Sequence, residues 1–165
     1  MLRHYMALKK GQVMSDSDLI NLYSGQLLEL AANIPLSGRL AAPMGTARKR
    51  SPLCGSSITV DVSIMKDPQD ALIITDFRQE VRACALGQAS ASVLGEVVIG
   101  RSEAELVEAR AKLSDMLSKD APAPSAPFDR YALLSPARSY KNRHASILLA
   151  LDCTIAAIED AKAKA

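Results

Sequence analysis

The chain has 165 residues, of which 48% are hydrophobic and 23% are charged, and its formal net charge is +2. This composition is typical of one globular domain with a genuine core, and so small a net charge argues against binding to nucleic acid or to a membrane surface. The chain has three cysteines, and an odd number argues against a secreted disulfide framework. No apolar run reaches the roughly 20 residues of a membrane span. We therefore expect a cytoplasmic protein.

We expect residues 1–15 to form a flexible extension and residues 16–165 to form one domain. Apolar residues at helical spacing predict a first helix from about Asp16 to Ala32, which ends before Pro35. Alternating, β-branched segments predict strands at 58–65 and 71–83 that pair as an antiparallel hairpin, with 46–51 as a third strand. The basic run at 48–50 is interpreted as solvated rather than as a phosphate site, because no aromatic residues accompany it.

The second half of the chain is predicted to be helical. One helix follows Cys84, and a capping box over 102–105 opens another. An Ala-Pro connector spans 121–127, and Ser135-Pro136 indicates the start of a last helix that runs to about Ala161. Helical spacing places His144 on the inward, apolar face of that helix. The expected fold class is therefore α+β, with a small three-stranded antiparallel sheet packed against helices.

Cys84 lies where the second hairpin strand is predicted to give way to a helix. A thiol at a helix N-terminus feels the positive end of the helix dipole, which favours the thiolate that binds metal or attacks sulfur. The small residues that follow, from Gly87 to Ser92, allow another segment to approach closely. The alternative interpretation is a buried structural cysteine on an alanine-rich core helix.

Three possible metal ligands occupy compatible positions in this arrangement. Cys54 precedes the hairpin, Cys84 follows it, and His144 faces inward near the start of the last helix. Two thiolates and an imidazole suit Zn²⁺ or iron and leave one tetrahedral position open. The alternative is that the three residues are unrelated and that His144 is a core histidine. Cys153 is interpreted as a packed helix residue, with a resolving thiol or alternative ligand as the other possibility.

Several motifs resemble the U-type iron–sulfur cluster assembly scaffolds, the family of IscU, SufU and the N-terminal domain of NifU. The resemblance covers about residues 17–160 and rests on three motifs: Cys54-Gly55, Cys84-Ala85 followed by Ala89-Ser90-Ala91-Ser92 and Glu96, and Pro136-Ala137-Arg138 before His144. The chain departs from the family pattern at four positions. Ser56 replaces an aspartate, Ala83 replaces a glycine, and His144 is taken as the position of the third cysteine, with Arg143 before it in place of lysine.

The resemblance implies an IscU/NifU-like fold and a non-enzymatic scaffold or carrier that binds iron, a labile [2Fe–2S] cluster or Zn²⁺ and passes the cluster on. The ligands implied are Cys54, Cys84 and His144, with Ser56, Lys141 and Arg143 as site neighbours. The expected partners are a cysteine desulfurase and apo iron–sulfur acceptor proteins, and a homodimer would supply the missing ligands of a shared cluster. The alternatives are a zinc-dependent sulfur acceptor, which is a sulfurtransferase like SufU, or a structural or regulatory paralogue. Histidine in place of cysteine is expected to raise the cluster potential.

Overall fold

The computed structural model describes residues 25–53 and 55–165 of the chain. These residues form five α-helical and 3₁₀ elements and three strands. The predicted extension at 1–15 and the beginning of the first helix lie outside the described residues. In chain order the elements are α1 (Gly25–Ala32), β1 (Gly45–Arg50), β2 (Ser57–Lys66), β3 (Leu72–Arg82), α2 (Ala85–Val97), α3 (Glu103–Lys119), a 3₁₀ helix (Asp129–Ser139) and α4 (Lys141–Lys164).

The three strands form one antiparallel sheet in the order β1-β2-β3. Alternate β2 residues Ile58, Val60 and Val62 are fully buried, because side chains of a strand alternate between the two faces and one face carries the core. The sheet and the helices around it confirm the predicted α+β class. No helix among the described residues has the length and apolarity to cross a bilayer.

The long helix α4 packs directly against β1 and β2. At Gly45 there is no room for a side chain, since an added Cβ would lie 2.2 Å from the carbonyl oxygen of Ala157. Cys153 is fully buried at this interface, with its Sγ 3.3 Å from the Ala47 oxygen and 3.2 Å from the Ile58 oxygen. Burial raises the pKa of the Cys153 thiol to about 11, so this cysteine is a core residue.

The predicted start of the last helix at Ser135-Pro136 is wrong. Pro136 lies inside the 3₁₀ helix, and α4 begins at Lys141 after Tyr140, whose φ of −108° and ψ of 74° are not helical. In a continuous α-helix the carbonyl oxygens of residues 137 and 138 would accept from amides four residues on. They lie instead 3.1 and 3.0 Å from Nε2 of His144, and the Ala137 oxygen also accepts from the Tyr140 amide at 2.9 Å. A side chain and a 3₁₀ bond therefore take the place of the α-helical ladder.

Candidate metal and sulfur site

Cys84 is the N-cap residue of α2, as the sequence predicts. Its backbone is extended, with φ −65° and ψ 169°, and the first turn of the helix contains no acidic residue. The side chain is partly exposed and makes no capping hydrogen bond. The thiol therefore stands at the positive end of a helix and remains accessible to a metal or to a partner.

A chain of two serine hydroxyls leads away from the thiol of Cys84. Its Sγ lies 3.6 Å from Oγ of Ser146, and Oγ of Ser146 lies 3.0 Å from Oγ of Ser56. Ser56 is 3% exposed and Ser146 is fully buried. We call these three residues the hydroxyl cluster. It links the turn before β2, the start of α2 and the first turns of α4, and its two serines carry no charge.

The small residues of α2 hold it against both helical neighbours. The Ser90 hydroxyl donates to the Ile147 carbonyl oxygen in α4, and the Ser92 hydroxyl donates to the Leu30 carbonyl oxygen in α1. At Gly87 an added Cβ would lie 2.5 Å from Oγ of Ser146. The predicted close approach of another segment is thus confirmed, and it fixes where the N-terminus of α2 stands.

His144 is partly buried at the start of α4. Its Nε2 lies within hydrogen-bond distance of two carbonyl oxygens, those of Ala137 and Arg138. Since a carbonyl oxygen only accepts, Nε2 carries the proton and donates. Metal-binding histidines commonly donate one ring N–H to a carbonyl and ligate through the other nitrogen. In neutral His144 the nitrogen left for a ligand is Nδ1.

Cys54 itself lies outside the described residues, but its flanks are defined. Gly55 has a φ of +71°, a left-handed conformation that glycine adopts without strain. The Gly55 amide donates to the Ser51 oxygen at 3.1 Å, and the Ser51 amide donates to the Ser56 oxygen at 2.8 Å. Among the described residues no group of three or more His, Cys, Asp and Glu side chains is placed to hold a metal. The set of Cys54, Cys84 and His144 therefore stays a prediction.

Comparison with known proteins now places the chain in a family. A family model described as the NifU-like N-terminal domain matches residues 22–159. The chain belongs to the NifU-like N-terminal domain family. A solved structure of the N-terminal part of a nitrogen-fixing NifU-like protein from Brucella abortus is 41% identical, has a TM-score of 0.81, and aligns over 89% of this chain and 99% of that chain. No curated protein matches the chain.

A second solved structure shares the fold of this NifU-like domain. It is a protein from Fervidobacterium islandicum named as a candidate iron–sulfur cluster assembly scaffold protein for the SUF system. The two chains are 20% identical with a TM-score of 0.69, and the alignment covers 82% of this chain and 96% of that chain. These matches confirm the predicted resemblance to the U-type scaffolds and the α+β fold that it implied.

The three predicted neighbours of the site differ from one another in their surroundings. Ser56 belongs to the hydroxyl cluster, whereas Lys141 is exposed and Arg143 is partly buried in the first turn of α4. The guanidinium of Arg138 is held by other partners, because its Nε donates to the Met116 oxygen at 3.0 Å and its Nη1 lies 2.8 Å from a carboxylate oxygen of Asp120 after α3.

Ser146 is the site residue that sequence reasoning missed. It follows His144 by two positions on the same helix, and its hydroxyl contacts both Ser56 and Cys84. Gly87 is the feature of the sequence that could have indicated this contact. A glycine three residues into an otherwise regular helix indicates close approach of a neighbouring chain segment, and that segment is the backbone at Ser146.

Proposed function

We propose that this chain is a scaffold or carrier in iron–sulfur cluster assembly. It accepts sulfur from a cysteine desulfurase, binds iron or a labile [2Fe–2S] cluster through Cys54, Cys84 and His144, and passes the cluster to apo acceptor proteins. The observation that carries the proposal is the position of Cys84, a partly exposed thiol at a helix N-cap whose Sγ lies 3.6 Å from the Ser146 hydroxyl. Membership of the NifU-like family supports the same role.

The described residues fit such a cargo in their donor chemistry. A thiolate is the ligand type that iron–sulfur clusters take, and Cys84 faces no carboxylate in the first turn of its helix that would repel a thiolate. His144 offers Nδ1 while its Nε2 is held by two carbonyl oxygens. Two thiolates and one imidazole leave a fourth position for a partner's ligand or for a second copy of the chain, which is what transfer of the cargo requires.

The second candidate function is a zinc-dependent sulfur acceptor, which is a sulfurtransferase activity. Two cysteines and one histidine are also a common zinc donor set, and a zinc ion held there would leave a thiol of the site to accept sulfur. The third is a structural or regulatory paralogue that keeps the fold, with zinc or nothing in the site. All three use the same residues, so the nature of the bound metal separates the scaffold from the two alternatives.

The test is anaerobic reconstitution with iron and sulfide, followed by measurement of iron, acid-labile sulfide and zinc. The scaffold function predicts iron and sulfide in equal amounts, lost in Cys84→Ser and reduced in His144→Ala. Cys153→Ser is the matched control, because it changes a cysteine that lies in the core, and it should load like the wild type. Tightly held zinc that resists exchange would favour the sulfur acceptor or the structural paralogue, and no metal of either kind would refute both the scaffold and the sulfur-acceptor functions.

A further inference from the structure

Three arginines share one face at the end of the sheet that borders the candidate site. Arg50 pairs with Ser57, and Ser57 pairs with Arg82. Residues directly opposite each other in antiparallel strands point to the same face, so Arg50 and Arg82 stand about 10 Å apart across β2. Arg48 lies two residues earlier in β1 on that face, and β3 leads from Arg82 through one residue to Cys84.

These arginines are exposed and lack a counter-charge within the part of the chain that the structure describes. Most other arginines there contact a carboxylate, whereas Arg48, Arg50 and Arg82 have none within salt-bridge distance. One carboxylate lies on the same face, that of Glu80, which is opposite Thr59 and two residues before Arg82. Its oxygen lies 3.9 Å from the Arg39 guanidinium, and 44–60 and 81–95 contain no aspartate or glutamate. The paired arginines are Arg39 with Asp61, Arg78 with Asp76, Arg101 with Glu105, Arg110 with Asp152, Arg130 with Glu96 and Arg138 with Asp120.

Leu53 adds an apolar group beside these charges. It lies in the turn that links β1 to β2, next to Cys54 in sequence, and it is 74% exposed, more than any other large hydrophobic residue of the described chain. An apolar contact with a charged rim is typical of a protein interface. Stacking platforms for single-stranded nucleic acid need aromatic side chains, and 44–60 and 78–95 contain none.

We propose that one surface of the sheet docks an acidic segment of the protein that exchanges sulfur or cluster with this chain. This surface, here termed the arginine surface, consists of Arg48, Arg50, Arg82 and Leu53. The nature of the partner rests on the proposed function, whereas the surface itself rests on the sheet register and the unpaired charges. Complementary charge accelerates encounter and fixes orientation. Docking here brings the partner to the end of the sheet where β3 leads into Cys84.

The test uses a defined probe, a fluorescent peptide of eight glutamates around two central leucines, and a matched peptide with glutamines in place of the glutamates. Fluorescence anisotropy gives the dissociation constant at low and at physiological salt. The charge-reversal variant is Arg50→Glu with Arg82→Glu. The control is Lys66→Glu with Lys119→Glu, which changes the net charge equally at two exposed lysines outside the arginine surface.

We expect the glutamate peptide to bind the wild type, more weakly as salt rises, and at least tenfold more weakly to the Arg50/Arg82 variant. Leu53→Ser should weaken binding severalfold, and the lysine control should stay within twofold of the wild type. Equal weakening in the control, equal binding of the glutamine peptide, or tighter binding of a ten-nucleotide thymidine strand would overturn the proposal.

Reconstitution of the Arg50/Arg82 variant keeps this proposal separate from the proposed function. We expect the variant to bind iron and sulfide like the wild type while it loses the peptide, because its charges lie outside the predicted ligand set. A wild type that binds the peptide but neither iron nor sulfide would refute the scaffold function and leave the arginine surface standing. Loss of iron and sulfide together with the peptide would show that the arginines support the metal site itself, and would overturn a separate docking role.

Discussion

Replacement of Gly87 by alanine tests whether the contact between α2 and α4 positions the candidate site. The added Cβ would lie 2.5 Å from Oγ of Ser146, 2.8 Å from Cβ of Ala83 and 3.3 Å from the Ser146 carbonyl oxygen. Ordinary contact begins at 3.4 Å, so the Ser146 hydroxyl must retreat by about 0.9 Å. It is fully buried and bonded to Ser56, which leaves it little space to do so.

The expected loss of stability is the difference between two opposing effects. Overpacking of a close helix contact costs about 1–3 kcal/mol, and loss of the hydrogen bond between Ser146 and Ser56 costs about 1 kcal/mol. Alanine is favoured over glycine within a helix by about 1 kcal/mol. Gly87→Ala should therefore destabilise the protein by about 1–3 kcal/mol. Gly25→Ala, in α1 with no atom within 4 Å of the added Cβ, should be neutral or slightly stabilising.

Urea unfolding of the two alanine variants, of Ser146→Ala and of the Gly87→Ala/Ser146→Ala pair supplies the assay. Because Ser146→Ala removes the atom that the new Cβ meets first, Gly87→Ala should cost about 1 kcal/mol less in that background. Strictly additive effects, or a Gly87→Ala protein as stable as the wild type, would refute the argument that Ser146 and Gly87 are in tight contact.

Two further predictions concern groups whose pKa the fold changes. Burial alone would raise the pKa of Asp61, but hydrogen bonds from Arg39, Thr46 and a backbone amide lower it overall from the ordinary 3.8. The ionised Asp61 therefore stabilises the fold above about pH 4, and this contribution is lost as the pH falls through its native pKa. Asp61→Asn should cost about 2–4 kcal/mol at pH 7 and flatten the acid limb of thermal unfolding between pH 2 and 6; an unchanged limb would contradict this. Because Cys153 is fully buried and its pKa is raised to about 11, iodoacetamide at pH 8 should modify Cys84 but not Cys153 in the native protein, and equal labelling by mass spectrometry would count against it.

The sheet and the middle helices follow closely from sequence patterns. Alternation of β-branched and polar residues predicts the ends of both hairpin strands to within about two residues of the ends in the structure. The capping box is confirmed, since Oγ of Ser102 accepts from the Glu105 amide at 3.1 Å and the Glu105 carboxylate accepts from the Ser102 amide at 3.1 Å. Both signals are local, and they need no knowledge of the rest of the chain.

The start of α4 depends instead on a contact that local patterns do not specify. Proline suits the first turn of an α-helix because its missing N–H is not needed there, so Pro136 indicates a helix start without fixing its type. The imidazole of His144 then reaches back to the carbonyl oxygens of Ala137 and Arg138. Helical spacing correctly places His144 away from full exposure, but it does not reveal that its ring bonds with backbone.

Ser56 is one of the positions at which the chain departs from the family pattern, and its contacts show what the serine does there. The family pattern has an aspartate there, and an aspartate would add a negative charge beside Cys84. Ser56 is buried and bonded to Ser146, so this position serves as an uncharged link between the Cys54 turn and α4. Removal of a charge at Ser56, together with an imidazole at His144, makes the predicted ligand set less negative than one of thiolates and a carboxylate. Coulomb attraction to a cationic metal is weaker for a less negative ligand set, so under the proposed scaffold function the affinity for the bare metal ion is where these two replacements should act.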